Sequence, residues 1–391
     1  MRIGILTLNN ENNYGAVLQT FAMVEAYREL GYDPIIINKW HTKNNESLIG
    51  HLVLLRSFRG WVWLIVNLFL TVGLFSELVR RLKTWRFGKR YFPTTSYHFY
   101  SWENAPSDLG VDIVSVGSDQ IWNANLVNTR DYLLEFLPSC IHRISYAASF
   151  GMNNIPSKLI PSYRRGLARF SAVGVREKTG KLLAESLGVK AEVVVDPTLL
   201  INPNTWNKFA SSRRAKKRLL CYFLGENVAK MLDKLKQFSQ RNDFDIVVLV
   251  GMGEGIVTYR RNIFKAYFAR IQRKLSRIKI DLMAGPEDFV REFSLASCII
   301  SNSYHALMFA TIFGKDIRII EPLSPVRQEM QNRMYDFAKS FIKTNVFAAD
   351  IDDALKQCAA TGSHTEYDFK AIESARAKSA EWLKNAIASC R

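Results

Sequence analysis

The pattern of the chain predicts an α/β protein of two parallel-sheet, Rossmann-like domains in series, facing each other across a cleft. Three observations predict it. Short apolar runs alternate with helix-length segments over most of the sequence. The order strand, loop, helix, strand at 3–37 returns from residue 219 onward. A length of 391 residues exceeds one ordinary core and fits two domains, and a hydrophobic content of 48% excludes disorder. The expected division is 1–190, 191–340 and a helical region 341–391 packing back on the first domain, with a basic, apolar helical insertion at about 48–95.

The first strand, 3–8, leads through Asn9-Asn10-Glu11-Asn12-Asn13-Tyr14-Gly15 into a helix at about 16–30 closed by Gly31, and the next strand follows at 34–37. Ligands of parallel sheets bind beyond the carboxyl ends of the strands, where this asparagine-rich loop falls. Its amide side chains, Asn12 and Asn13 among them, donate and accept, which suits sugar hydroxyls. The loop carries no GxGxxG fingerprint, so a dinucleotide is not indicated.

The charge gathers in two stretches, one of them in the insertion. The net charge is +17, and 56–90 contributes +7 of it while 260–279 contributes +8. Two such clusters suit a polyanion or an anionic lipid surface, or else are solvated helix faces. Inside the first lies the apolar run 61–75, with Trp61 and Trp63 at one end. Its 15 residues fall short of the ~20 that a bilayer span needs, and the expectation is a segment that dips into a membrane interface, the alternatives being a buried core helix or a dimer contact.

After the insertion the alternation resumes. A strand at 111–116 ends in Gly117-Ser118-Asp119-Gln120-Ile121-Trp122-Asn123, a loop that combines a carboxylate, a carboxamide and an indole. That combination faces carbohydrate in many proteins, although a turn capped by Ser118 or Asp119 reads the same way. Strands at 143–148 and 170–175 follow, and Arg176 ends the second of them. A guanidinium there would reach the cleft and grip carboxylate or phosphate, the alternative being a structural ion pair with Glu177 or Asp196. A strand at 191–195 leads to Asp196-Pro197-Thr198.

The second half reads as strands at 219–224, 245–250, 278–283 and 316–320, with helices at about 228–240 and 287–296 among them. The loop Gly251-Met252-Gly253-Glu254-Gly255 is weak evidence of a site, since glycines after a strand often serve only the turn. The segment 298–314 reads as a short buried strand, a polar turn and an apolar helix closed by Gly314. Asn302 or Ser303 is expected to cap that helix. Its amides and dipole make the turn an anion site with His305 at the edge as the first catalytic candidate, the alternative being a capping or packing histidine in an ordinary αβ turn.

Five cysteines, Cys140, Cys221, Cys298, Cys358 and Cys390, are odd in number, widely spaced and without a CxxC pair. Neither a disulfide framework nor a zinc site is expected, which fits a reducing cytoplasm. The strand-like start Arg2-Ile3-Gly4-Ile5-Leu6 carries no export signal.

With these residues assembled, the chain resembles the polysaccharide pyruvyl transferase family. The carriers are Asn13-Tyr14-Gly15-Ala16-Val17-Leu18-Gln19, the 117–123 loop, Val175-Arg176-Glu177, Asp196-Pro197-Thr198-Leu199-Leu200, Asn302-Ser303-Tyr304-His305-Ala306 and Asn332-Arg333-Met334-Tyr335-Asp336, in the family's order. The resemblance implies a fold like that of GT-B glycosyltransferases, a phosphoenolpyruvate co-substrate with no further cofactor and no metal, and a sugar acceptor that becomes a pyruvate ketal. Carried over by position, it implies His305 and Asp119 as catalytic groups. The donor would be held by Arg176, Ser301, Asn302, Ser303, His305 and Arg333, and the acceptor by Asn12, Asn13, Tyr14, Gln19, Ser118, Gln120 and Trp122. Ser303 stands where many members have arginine, and Ala306 where many have glycine, so Arg176 and Arg333 would have to supply the cationic clamp. The expected partner beyond the donor is a lipid-linked oligosaccharide at the inner membrane face, with no nucleic acid. A nucleotide-sugar glycosyltransferase and a non-catalytic binder of membrane surfaces or polyanions are the rival readings.

Overall fold

The computed structural model describes residues 1–9, 13–39, 59–106, 108–212, 217–224, 228–250, 277–321, 331–360, 362 and 364–390, with backbone alone for 59–74 and 229. Twelve strands among them form two six-stranded sheets, both wholly parallel. The first has the order β2 (Asp33–Ile36), β1 (Arg2–Leu6), β3 (Ile113–Val116), β4 (His142–Ala148), β5 (Ala172–Val175), β6 (Glu192–Val193). The second has the order β12 (Phe347–Ala348), β11 (Asp316–Ile320), β10 (Cys298–Ser301), β7 (Arg218–Phe223), β8 (Asp245–Val250), β9 (Ile278–Asp281). Strands such as β3 (Ile-Val-Ser-Val) and β10 (Cys-Ile-Ile-Ser) are buried at every position. A parallel sheet covered on both faces produces such continuous apolar runs.

The α-helices, in chain order, are α1 (Tyr14–Glu29), α2 (Arg59–Tyr91), α3 (Arg130–Leu133), α4 (Ile160–Leu167), α5 (Lys178–Ser186), α6 (Pro197–Leu200), α7 (Leu232–Asn242), α8 (Pro286–Leu295), α9 (Tyr304–Ile312), α10 (Asn332–Phe341), α11 (Ile351–Ala359) and α12 (Phe369–Ala388). The first starts where Asn13 caps it, its side-chain oxygen accepting from Gly15 N at 2.9 Å. Tyr14 then crosses to the second half, donating from its hydroxyl to Ala284 O at 3.0 Å and packing on Tyr222 and Phe289. One hydrophobic cluster runs through both halves, from Ile3 and Phe21 through Trp206 to Phe289, Phe309 and Ile319.

The apolar run 61–75 lies within the continuous 33-residue helix α2, the helical insertion expected there. No described helix is long and apolar enough to cross a membrane. The region 341–364 does not pack back on the first domain, because Phe347 pairs with Ile319 and thereby adds β12 to the second sheet, with α11 against β11. Only α12 returns, where Ser379 Oγ accepts from Val195 N at 3.0 Å and Trp382 packs on Tyr146. Cys298 and Cys358 are disulfide-bonded, contrary to the reading of their spacing, since α11 brings a residue 60 positions away beside the start of β10. Asn12, the loop 251–255 and most of the basic stretch 260–279 lie outside the described residues.

Candidate active site

In each sheet there is one gap where the strand order reverses, and crevices at such gaps receive ligands in parallel sheets. The gap lies between β1 and β3 in the first sheet and between β7 and β10 in the second. Asn302 spans the second gap, accepting from Leu224 N at 2.8 Å and donating to Leu224 O at 3.0 Å. It therefore does not cap α9. Ser303 holds the cap position without a side-chain capping bond.

The two gaps meet around Asp196, which sits between β6 and α6. Its Oδ2 accepts from Arg176 Nη1 at 3.2 Å and from Ser118 Oγ at 3.4 Å, and it lies 3.8 Å from His305 Nε2. Thr198 fixes the other oxygen through its amide at 3.0 Å and its hydroxyl at 2.7 Å. Asp119 stands on the far side of the guanidinium, with Oδ1 3.6 Å from Arg176 Nη2. The Tyr304 ring carries two guanidinium groups, Arg176 at 4.4 Å and Arg333 at 5.1 Å from its centroid. Arg333 comes from α10 and meets Gln120, whose carboxamide oxygen, turned outward, accepts from its terminal nitrogens at 3.1 and 3.2 Å. The cluster thus draws Ser118, Asp119, Gln120, Arg176 and Asp196 from the first half and its linker, and Tyr304, His305 and Arg333 from the second.

Burial pushes the His305 imidazole below its ordinary 6.5, and the carboxylates of Asp196 and Asp119 do not make up the difference, so the ring is neutral at pH 7. Both carboxyls are held below the usual carboxylate range. Burial raises Asp119, but Arg176, His305 and Arg333 outweigh it; burial raises Asp196, but His305, Arg176 and the Thr198 bonds outweigh it. With His305 neutral, the standing charges that keep them ionised are Arg176 for both and Arg333 for Asp119 as well. Burial and then the Arg176 charge push the Arg333 guanidinium down to about 10, still protonated at neutral pH.

Four of these groups keep polar atoms without a hydrogen-bond partner: Arg176 Nε and Nη2, Arg333 Nε, Glu177 Oε2 and His305 Nε2. Buried donors are rarely left so. The N-termini of α1 and α9 also converge here, for Gly15 lies so close to His305 that a Cβ added at Gly15 would collide with the imidazole ring. A cavity of about 340 Å³ adjoins the cluster, lined by Arg176, Asp196, Tyr304, Arg333, Lys378 and Trp382 among others. Among the described residues no group of three or more His, Cys, Asp or Glu side chains is placed to hold a metal ion.

The remaining sequence candidates stand behind the cluster. Gln19 is fully buried and donates to Thr7 Oγ1 and Ala16 O, both at 2.9 Å, while its oxygen accepts from Ser118 N at 3.1 Å, which positions the 117–123 loop. Trp122 is a core residue against Phe150 and Phe170. Tyr14 and Asn13 anchor α1, and Ser301 Oγ bonds Tyr222 O and accepts from Ser303 N. The sequence offers Asp196 as an ion-pair partner of Arg176 and as part of the Asp-Pro-Thr-Leu-Leu segment, and it gives Tyr304 and Gly15 no role of their own. Their signal was present in the Asp-Pro-Thr and Ser-Tyr-His runs and in the glycine after Tyr14.

The same fold occurs in the UDP-GlcNAc 2-epimerase of Methanocaldococcus jannaschii, solved with UDP-GlcNAc and UDP, at a TM-score of 0.50 and 12% identity over 96% of this chain and 98% of that one. A Listeria monocytogenes protein provisionally assigned as a UDP-N-acetylglucosamine 2-epimerase matches at a TM-score of 0.52 and 9% identity, over 97% and 90% of the two chains. At these identities the likeness concerns the fold alone. No curated protein matches the chain. The fold is GT-B-like, and its buried charged cluster draws side chains from both halves. The chain belongs to the polysaccharide pyruvyl transferase family, whose family model matches residues 13–321.

Proposed function

We propose that the protein transfers pyruvate from phosphoenolpyruvate onto two hydroxyls of a hexose, as a ketal, in a lipid-linked repeat unit of a capsular or extracellular polysaccharide. The observation that carries this reading is the pair of guanidinium groups gathered at the Tyr304 ring, with unpartnered nitrogens, beside a neutral histidine at two converging helix N-termini. Such a place favours a small, planar, multiply charged anion. The adjoining cavity of about 340 Å³ is at the small end of ligand sites, which run from ~300 Å³ upward.

On this reading Arg176 and Arg333 take the donor's phosphate and carboxylate. An anion arriving beside the imidazole raises the proton affinity of His305. His305 then acts as the acid that protonates the methylene carbon of phosphoenolpyruvate, leaving the adjacent carbon electrophilic. A sugar hydroxyl adds there and gives its proton to Asp119, the C–O bond to phosphate breaks with its electron pair leaving on the phosphate, which takes up the Asp119 proton, and a second hydroxyl adds at the same carbon, returning a proton to His305 and closing the ketal. One donor and two hydroxyls yield one ketal and one phosphate.

The test is phosphate release from phosphoenolpyruvate by the purified protein, with galactose-, glucose-, mannose- and N-acetylmannosamine-terminated acceptors, free and lipid-linked. Acceptor-dependent release, lost in Arg176→Lys, supports the proposal and names the sugar. No release and no thermal shift with phosphoenolpyruvate overturn it. A thermal shift with a UDP-sugar instead would favour the glycosyltransferase reading.

A further inference from the structure

We propose that the outward face of α2 between Phe75 and Arg90 docks the protein on an anionic lipid bilayer. Ten large apolar side chains stand well exposed among the described residues, and four of them, Phe75, Leu78, Leu82 and Trp85, are on this one helix at exposures of 44–58%. The other six are spread along the chain from Met1 to Phe369, which is ordinary for a protein surface, whereas a contiguous stripe is not. At ~100° per residue the four fall within an arc of about 80°, over about 15 Å of helix. The opposite face is what holds the helix to the body. Arg80 and Phe87 are buried there, and Lys83 Nζ bonds Asp288 Oδ2 at 2.6 Å.

The stripe ends in cations. Arg86, Lys89 and Arg90 are exposed in the turns beside and beyond Trp85, and Lys89 lies on the stripe's own line. The acidic residue of this stretch, Glu77, is engaged by Arg80 and Arg81. A second copy of the same face would bring no acid to meet these cations, whereas phosphate-bearing lipid headgroups would. An apolar stripe bordered by Arg and Lys with a tryptophan near the boundary is the composition of a helix lying in a membrane interface. This docking does not depend on the identity of the reaction. If the acceptor is lipid-linked, it would hold the site over the surface on which the acceptor is displayed.

The experiment is co-sedimentation of the full chain with phosphatidylcholine vesicles with and without phosphatidylglycerol, at low and at high salt. The expected result is binding to the anionic vesicles that falls at least ~10-fold in Leu78→Glu/Trp85→Glu. In Arg86→Glu/Lys89→Glu/Arg90→Glu, preference for the anionic lipid and sensitivity to salt should both disappear. Melting temperatures of both variants should match the parent, since none of these residues is buried. Retention of the parent in the supernatant with anionic vesicles overturns the proposal, as does equal binding by the stripe variant. So does a parent that is dimeric by light scattering and becomes monomeric in that variant, which would make the face a contact between copies. Phosphate release with a soluble acceptor is measured alongside, and its failure would count against the ketal-transfer reading alone.

Discussion

His305 and its neighbours set the expectations at the scale of single residues. His305→Ala should lower acceptor-dependent phosphate release by ~10²-fold or more if the ring transfers a proton, with the melting temperature near that of the parent. Near-normal turnover in that variant would remove it from the chemistry. The same ring affects stability with a definite sign. Its folded proton affinity is below the ordinary 6.5, so as pH falls beneath that value the unfolded chain takes up a proton that the folded protein refuses. Stability is full above about 6.5 and declines from there down to the depressed folded value. Thermal melts between pH 7 and 5 should show this decline in the parent and a smaller one in His305→Asn. Equal slopes would mean that the imidazole is not buried neutral. His305 and Arg176 were legible in the sequence because each follows an apolar strand in a parallel-sheet pattern. Asp196 was not, because its importance comes from Ser118, Arg176 and His305 arriving from three other segments.

Among elements, the meeting of α1 and α9 at their N-termini is the feature least visible from sequence and most exposed to test. Glycine at position 15 lets the two helix ends touch, since any side chain there would occupy the space of the His305 ring. Gly15→Ala should leave the far-ultraviolet spectrum intact and abolish activity by displacing the imidazole, an effect that Ala16→Gly should not reproduce. Full activity in Gly15→Ala would show that the contact is not needed. Asn302 offers a second element-level test. Without it the backbone amide and carbonyl of Leu224 lose their partners, and Asn302→Ala should cost about 1–3 kcal/mol in chemical denaturation. The strands themselves were readable to within a few residues, because runs such as 245–250 keep both faces apolar. The caps were not, because Asn302 and Ser303 are equally good caps in isolation, and only the position of Leu224 draws Asn302 away.

Across the whole molecule, the two sheets were legible from alternation alone, while the course of the last 50 residues was not. A two-residue strand such as β12 has no periodicity to read, and Trp382 of α12 gives no sequence sign that it will lie on Gly174 and Tyr146 of the first half. Truncating it, Trp382→Ala, should destabilise the protein by about 2–4 kcal/mol and lower one common transition rather than split it in two. Two separated transitions would mean that the halves fold independently. The expectation of one transition comes from the apolar cluster that joins Phe21 and Trp206 to Phe289 and Phe309 across the halves. That cluster also bears on how the enzyme works. On the proposed reading, halves welded by a shared core do not swing as a jaw does, so the dipoles around His305 would already be oriented when phosphoenolpyruvate arrives, leaving little reorganisation energy for the chemical step to supply. Small-angle scattering would register this as an unchanged radius of gyration on adding phosphoenolpyruvate, whereas a contraction would reveal a closing step.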